Sequence, residues 1–221
     1  MSATCKDANT LAAEAQEQDE GERITYDAKC SSQSLTAWLK EWAPSKTPAD
    51  GVGWLCVRGY NVDDSEIPEA EVDELLVAWE DLKESGKPID LPTIRELAKK
   101  YHVTSGKWLL HVDTGVKGDH FWKLVTRGIV DGQLPSNFAK ISPNKGSNYV
   151  ICIYNEDFTN EEQVCNLEKG LRSIGIKSLL LYKPDVYTHI GIYKKNKWKL
   201  RPTIYKSDYK ITTNQSKITT T

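Results

Sequence analysis

The sequence has few cysteines and histidines, and none of them has the spacing of a disulfide framework or of a structural metal site. Its five cysteines include no CxxC pair, and its four histidines have no ligand spacing with one another or with cysteine. An odd count of scattered cysteines argues against a disulfide framework, and the histidine spacing argues against a zinc site. We therefore expect reduced thiols, no bound metal and no cofactor.

Long apolar runs are also missing. No stretch of 18 apolar residues occurs, and the opening residues lack the basic and apolar blocks of a signal peptide. Neither a transmembrane helix nor secretion is predicted. Hydrophobic residues make up 39% of the chain and charged residues 27%, which is ordinary for a globular protein in water. We expect a cytoplasmic protein, or a nuclear one, without a membrane partner.

A large charge of one sign is absent from the whole chain, whose formal net charge is −2, but not from its parts. Residues 1–90 hold 8 Lys and Arg against 20 Asp and Glu, whereas residues 169–221 hold 12 against 2. The last quarter of the chain is therefore strongly basic. Such asymmetry favours either an anionic partner for the basic part or its contact with the acidic part.

Five segments show the apolar spacing of amphipathic helices. Pro44 ends the first, Asp119 is the expected N-cap of the fourth, and Asn160 with Gln163 resembles a capping box at the start of the fifth. The predicted helices are residues 34–42, 68–86, 91–101, 119–130 and 160–175.

Short apolar runs bounded by turn-forming residues predict strands between and after these helices. Turns at 143–148 and 194–197 would join neighbouring strands as hairpins, which requires antiparallel pairing. We therefore predict an α+β fold, a curved and mostly antiparallel sheet with helices packed on its convex face. The predicted strands are residues 52–60, 107–113, 138–142, 149–154, 178–182, 186–193 and 198–205.

Composition divides the chain into three parts. Residues 1–30 are acidic and residues 209–221 are Thr-rich, and because neither part has an apolar face, both are predicted to be disordered. Residues 31–208 are predicted to form a single α+β domain. Within it, the Trp108 side of its strand is apolar and should pack under the helix that carries Trp122.

The order of motifs in this domain resembles two families. "GKWLLHV", "DHFWKLVTRGIVDG" and "YVICIYNEDFTNEEQVCNLEKGLRSIG" are similar to the central part of the cap-binding translation initiation factor family. Over residues 34–206, "GWLCV", "SGKWLLHV" and "LLYKPDVYTHIGIY" resemble the basophilic leukemia-expressed protein family, which is regarded as having the cap-binding-factor-like fold. The resemblance implies a concave sheet face that can hold a nucleotide or single-stranded RNA.

The cap-binding family stacks a methylated guanine between two tryptophans and holds its phosphates with Arg and Lys. In this sequence the Trp79-Glu80 pair lies on a helical apolar stripe and is interpreted as core, and the turn that matches the family's basic turn offers Lys145. The resemblance therefore predicts the fold more fully than the binding residues.

Candidate binding residues concentrate in the last two predicted strands. Aromatic and basic side chains alternate there, and single-stranded nucleic acid needs rings for stacking and cations for its phosphates. Whether both strands present them on one face depends on the register across 194–197, and an ordinary solvated face is the alternative. The predicted RNA- or nucleotide-binding residues are Tyr187, His189, Tyr193, Lys199, Arg201, Tyr205 and Lys145.

The leading hypothesis is therefore a noncatalytic binding protein. An adaptor for other proteins is the alternative, and it would use an exposed helix that carries Trp38 and Trp42. An enzyme would need a nucleophile such as Cys152 next to His111 and Asp113. A buried thiol and a hydrogen-bonded histidine are the simpler interpretation of those residues.

Overall fold

The computed structural model describes residues 7–60, 68–143 and 148–221. These residues form seven helices and eight strands. The helices are α1 (Ala8–Glu20), α2 (Leu35–Glu41), α3 (Val72–Glu84), α4 (Leu91–Lys100), α5 (Val116–Val130), α6 (Glu161–Ser173) and α7 (Asp185–His189). The strands are β1 (Glu22–Asp27), β2 (Val52–Arg58), β3 (Gly106–Asp113), β4 (Phe138–Ile141), β5 (Asn148–Asn155), β6 (Leu180–Pro184), β7 (Tyr205–Lys210) and β8 (Gln215–Thr220).

The described strands join one sheet in the order β1-β2-β4-β5-β3-β6-β7-β8. Strand β1 runs parallel to β2, and the other neighbouring pairs are antiparallel. The predicted α+β class with a mostly antiparallel sheet is therefore confirmed. Because the sheet begins at β1 and ends at β8, it reaches beyond the predicted limits of 31 and 208 on both sides.

Helices cover one face of the sheet. Helices α2 to α6 all place side chains in the main core, together with strand residues such as Leu55 and Ile153. Trp108 and Trp122 are fully buried in this core, and Trp108 Nε1 donates a hydrogen bond to the carbonyl of Val164 in α6 at 3.0 Å. Burial of each indole stabilises the fold by roughly 3 kcal/mol at most. The predicted core role of both tryptophans is confirmed.

The start of α5 differs from the prediction. Its N-cap is Gly115, and Asp119 lies in its first turn rather than at the cap. The Asp119 carboxylate instead accepts hydrogen bonds from the backbone N–H of Ser45 at 2.9 Å and from its hydroxyl at 2.6 Å. It therefore ties the segment after α2 to α5. Asn160 caps α6 as predicted, and accepts from two backbone N–H groups of the first turn.

The prediction of strands at 186–193 and 198–205 is wrong. The first segment begins as helix α7, which follows Pro184 and has Asp185 in its first turn, and Gly191 with φ of 73° comes after it. A proline and an acid at the start and a glycine past the end are helix boundary signals. The alternation of rings and polar residues in this segment favoured a strand and hid these boundary signals. Val186, Tyr187 and Ile190 nevertheless have helical spacing.

A compact loop takes the place of the predicted hairpin at 194–197. The buried Asn196 side chain donates hydrogen bonds to the carbonyls of Tyr193 at 2.8 Å and Leu200 at 2.7 Å, and accepts one from Leu200 N–H at 3.1 Å. Lys195 and Lys199 have positive φ angles of 64° and 58°. These left-handed residues close the loop and break the strand geometry on both sides of it.

The terminal segments that we predicted to be disordered form regular elements in the structure. Residues 1–30 contain α1, capped by Asp7, which accepts a hydrogen bond from Thr10 N–H at 2.8 Å, and β1, which pairs with β2. The C-terminal tail contains most of the β7–β8 hairpin. Strand β1 and the β7–β8 hairpin add to the sheet through backbone hydrogen bonds. Such bonds do not need the apolar residues that the sequence lacks there.

Buried ionic contacts fasten the β7–β8 hairpin to α6. The side chains of Arg172 and Glu168 of α6 are 8% and 2% exposed and form an ion pair at 2.7 Å. Arg172 also donates to the Ser207 hydroxyl at 2.7 Å, and Ser207 and Ser216 donate to the Glu168 carboxylate at 2.6 Å and 3.3 Å. The pair therefore positions both strands of the hairpin.

Replacing Arg172 with Met should destabilise the protein by about 3–5 kcal/mol, because the buried Glu168 carboxylate loses its counter-charge. Urea unfolding followed by circular dichroism measures this loss. The double variant Arg172→Met/Glu168→Met should lose less than the single variant, since it removes the orphaned charge as well. Arg127→Met, on the exposed side of α5, is the matched control and should leave stability nearly unchanged. An Arg172 variant as stable as this control would show that the pair does not hold the hairpin.

Candidate functional site

Three lysines lie on the sheet face opposite the main core. Lys107 of β3 pairs with Lys183 of β6, and Lys140 of β4 pairs with Cys152 of β5, so strand alternation places them on one side. They are only 7%, 7% and 6% exposed in the order Lys107, Lys140 and Lys183. We define the lysine face as these three lysines together with the rings beside them, Trp54, Tyr154 and Tyr193.

Each of these lysines lies against an aromatic ring. A cation within about 6 Å of a ring centroid is attracted by the negative face of the ring. The distances from Nζ to the centroid are 4.0 Å for Lys140 and Trp54, 5.1 Å for Lys107 and Tyr154, and 3.7 Å for Lys183 and Tyr193. Each of the three cations on β4, β3 and β6 therefore has a ring beside it, and Lys107 and Lys183 are direct neighbours across β3 and β6.

Lys107 is neutralised by Asp185, the first residue of α7. Lys107 Nζ donates to Asp185 Oδ1, and the Ser105 hydroxyl donates to Oδ2 at 2.6 Å. Burial alone would lower the pKa of Lys107 and raise that of Asp185, but their mutual attraction outweighs it, so the pKa of Lys107 is raised and that of Asp185 is lowered. Both groups are therefore ionised near neutral pH.

Lys183 is less well compensated. Burial, with the neighbouring Lys107 charge, lowers the pKa of Lys183 to about 7, although Asp185 and Cys152 act in the opposite direction. The groups that face it are Lys107 from β3, Asp185 from α7, Cys152 from β5 and the Tyr193 ring from the loop. A buried ammonium is therefore formed or lost here within the physiological pH range.

Helix α1 lies over the lysine face. Among the described residues, α1 contributes none to the main core. Near its end, Asp19 Oδ1 accepts hydrogen bonds from Trp54 Nε1 at 2.8 Å and from Lys140 Nζ at 2.6 Å. At its start, Asp7 is within electrostatic range of Lys195 in the loop after α7. The acidic N-terminal part therefore contacts basic residues of the sheet and loop.

Two of the predicted site residues lie on the helix side of the sheet. Tyr187 is buried in the main core, and burial raises its pKa to about 12 although Arg95 acts against the shift. Tyr205 packs partly buried against the same core, with its ring centroid 5.9 Å from that of Tyr182. The structure therefore does not bring these two tyrosines to the lysine face.

The other predicted site residues divide between the face and the loop. Tyr193 belongs to the lysine face, and His189 is exposed within electrostatic range of Asp185. Lys199 and Arg201 are exposed on the loop before β7. Lys145 lies outside the described residues. The predicted set is therefore dispersed, because the two strands meant to align it do not form.

The helix that carries Trp38 and Trp42 does not expose these tryptophans as the adaptor hypothesis predicted. Trp38 is buried and its ring lies 5.7 Å from that of Tyr26, while Trp42 packs partly buried against the main core. Trp79 is buried as predicted, with an edge-on contact to Trp198 at 4.9 Å.

The Cys152 thiol lacks the activation that a nucleophile needs. Burial raises its pKa, against the opposing effects of Lys107 and Lys140. The thiol is therefore protonated near neutral pH, whereas nucleophilic cysteines have a lowered pKa.

Sequence reasoning missed most of the lysine face. Lys107, Lys140 and Lys183 each stand inside a strand, at the position that alternates with core residues. Lysine is rarely buried without a partner, so lysines at interior strand positions are the signal that could have marked this face. The acid that follows β6, Asp185, is the second sign.

The structure defines an α+β protein with an open, mostly antiparallel sheet. Helices cover one face of the sheet, and lysines lie on the other. Residues 77–191, just over half of the chain, match the basophilic leukemia-expressed protein family, Bles03. The chain belongs to this family.

Parts of the chain are also similar to solved structures of eIF4E proteins. One is Caenorhabditis elegans eIF4E-3 in complex with the 4E-binding protein Mextli and a cap analogue, with 24% identity over 38% of this chain and 51% of that one, and a TM-score of 0.32. A second is Ascaris suum eIF4E-3 with an m2,2,7G cap, with 17% identity over 37% of this chain and 51% of that one, and a TM-score of 0.33. A third is schistosome eIF4E with m7GpppA and 4E-BP, with 12% identity over 47% of this chain and 58% of that one, and a TM-score of 0.37. The chain therefore spans between half and three fifths of the length of these proteins. Within the described residues, no helix has both the length and the apolar character to cross a bilayer.

Replacing Lys183 with Met should stabilise the protein by about 2 kcal/mol near pH 7, because it removes a buried ammonium. The gain should be full below pH 7 and shrink as the pH rises toward about 10.5, where the unfolded lysine also loses its proton. Urea unfolding at several pH values measures it. Lys206→Met on β7, where the lysine side chain is 42% exposed, is the control and should show no such trend. Equal pH profiles for both variants would contradict the lowered pKa.

Proposed function

We propose that this protein is a noncatalytic binding protein for single-stranded RNA or a nucleotide, and that the ligand lies on the lysine face. The observation that carries the proposal is that each lysine of the face lies against an aromatic ring. The three pairs are Lys107 with Tyr154, Lys140 with Trp54 and Lys183 with Tyr193. Bases stack on rings, and phosphates pair with cations, so one surface offers both kinds of contact.

The charge balance of the face favours an anionic ligand. Asp185 neutralises Lys107, and Asp19 neutralises Lys140, but the pKa of Lys183 is lowered to about 7. A phosphate beside Lys183 would supply the missing negative charge and raise the pKa of the ammonium group. Binding should therefore take up a proton near neutral pH.

Basic residues continue from the face onto its margin. Tyr193, above Lys183, opens the stretch "YKKNKWK", whose four lysines are all exposed. Lys194 lies within electrostatic range of His111 on β3, which shares the Lys107 side of its strand. A strand of RNA longer than one nucleotide would meet these cations at the edge of the sheet.

Fluorescence titration with labelled single-stranded RNA oligomers, capped and uncapped, tests the proposal at about 50 mM and about 200 mM salt. Affinity should fall with salt and should rise up to about tenfold from pH 8 to pH 6 as Lys183 gains its proton. Lys183→Met should weaken binding at pH 6 and abolish the pH dependence. Lys123→Met, an exposed lysine on α5, removes the same charge from the opposite side of the sheet and should behave like the wild type.

The comparison of oligomers divides the two ligand classes. Equal affinity for both oligomers would assign the face to the RNA backbone, and a preference for the capped one would assign it to the cap nucleotide. Failure to bind either oligomer at low salt, both in the wild type and in a variant with α1 released from the face, would contradict the proposal.

A further inference from the structure

One carboxylate of α1 gathers several donors of the sheet. Asp19 Oδ1 accepts from Trp54 Nε1 and Lys140 Nζ at 2.8 Å and 2.6 Å, and Arg23 Nη2 lies 4.0 Å from the same oxygen. Charge-assisted hydrogen bonds of this length are the strong ones. Two cations and an indole N–H therefore converge on a single negative charge.

The donors belong to the sheet and the acceptor comes from outside it. The side chain of Lys140 is 9% exposed, whereas that of Asp19 is 35% exposed. We propose that Trp54, Lys140 and Arg23 form a subsite for a phosphate group, and that Asp19 occupies it as a tethered competitor of the ligand. This inference rests on the proposed function, which it extends with a phosphate position and a means of control.

The apolar part of the attachment of α1 to the sheet is slight. No residue of α1 is fully buried. Its half-buried positions, at 8, 11, 12, 15, 18 and 19, follow helical spacing, but three are alanine and one is leucine. Such a stripe removes little apolar surface from water, so the helix leaves the sheet more easily than a core helix does. Asp19 is therefore a main contributor to the closed position.

The end of α1 is nevertheless placed accurately. A Cβ on Gly53 of β2 would lie 2.2 Å from the carbonyl oxygen of Gln18, and a Cβ on Gly21 would lie 2.7 Å from Gly53 Cα. The two backbones approach this closely because neither glycine has a side chain. Gln18 Nε2 also donates to the Gly53 carbonyl at 3.2 Å. These contacts between the end of α1 and Gly53 hold Asp19 next to Trp54.

The start of α1 lies at the other side of the face. A cleft of about 650 Å³ lies there between Asp7 and Ala12 of the N-terminal segment, Trp79 and Lys83 of α3, and Lys195 of the loop after α7. The helix therefore reaches from Gly53 of β2 to the loop after α7, and Asp19 near its end lies within electrostatic range of Lys107. Release of the helix removes Asp19 from Lys140 and Trp54. A phosphate bound there and the helix therefore oppose each other's binding by the same factor.

Asp19→Asn tests the inference, because it keeps the shape of the side chain and removes its charge. The readouts are the indole N–H resonance of Trp54, assigned with Trp54→Phe, during titration with pyrophosphate, and hydrogen exchange of the α1 amides. Loss of one charged hydrogen-bond acceptor should lower the Kd for pyrophosphate about tenfold and speed exchange in α1 alone. Lys140→Met added to Asp19→Asn should abolish the gain.

Glu17→Gln is the matched control, since it removes one negative charge from an exposed position of the same helix. It should bind pyrophosphate as the wild type does. An equal gain in the control, or no gain in Asp19→Asn although its α1 amides exchange faster, would overturn the inference. So would unchanged exchange of α1 in Asp19→Asn.

Single-stranded RNA in the same titrations separates the two proposals. One outcome is RNA binding that depends on Lys183 and is equally tight in the wild type and in Asp19→Asn. It would support the proposed function and overturn the competitor role of Asp19. Tighter pyrophosphate binding at Trp54 in Asp19→Asn, with no RNA binding by any variant, supports the subsite and overturns the proposed function.

Discussion

Buried lysines that take their counter-charges from outside the sheet are the constraint on which the lysine face depends. An ammonium group removed from water costs several kcal/mol unless a carboxylate stands beside it. Asp185 supplies that carboxylate to Lys107, and Asp19 supplies it to Lys140. Electrostatics therefore helps to hold the first residue of α7 and the end of α1 in place, while the helices on the opposite face pack through apolar side chains.

The main core could be predicted because its signals are local. Helical spacing placed α2, α3, α4 and α6 close to their observed bounds, and alternation around Trp108 showed which side of β3 is buried. Most of the central strands were found in the same way. These elements bury one apolar stripe or face each, so a short window of sequence carries enough information to identify them.

The misses are elements that polar contacts between distant residues help to hold, although α7 also has local boundary signals in Pro184 and Gly191. Helix α7 forms where Asp185 meets Lys107, which lies 78 positions earlier, and β7 is held through Ser207 by the Arg172–Glu168 pair. No window of sequence around Asp185 or Ser207 contains these partners. The binding face was misplaced for the same reason. Its lysines lie on β3, β4 and β6, and only the strand order brings them together. Tyr193 alone was anticipated, from the density of rings near it.

The small apolar cluster on the lysine-bearing side of the sheet makes opening of that side measurable through its cysteines. Cys56 and Cys152 are buried in this cluster, and burial raises the pKa of both thiols, whereas Cys30 is exposed. An alkylating reagent therefore reaches Cys30 directly, but reaches Cys56 and Cys152 only when the structure around them opens. The rate at which Cys56 and Cys152 are modified then measures how often this side of the sheet opens to solvent.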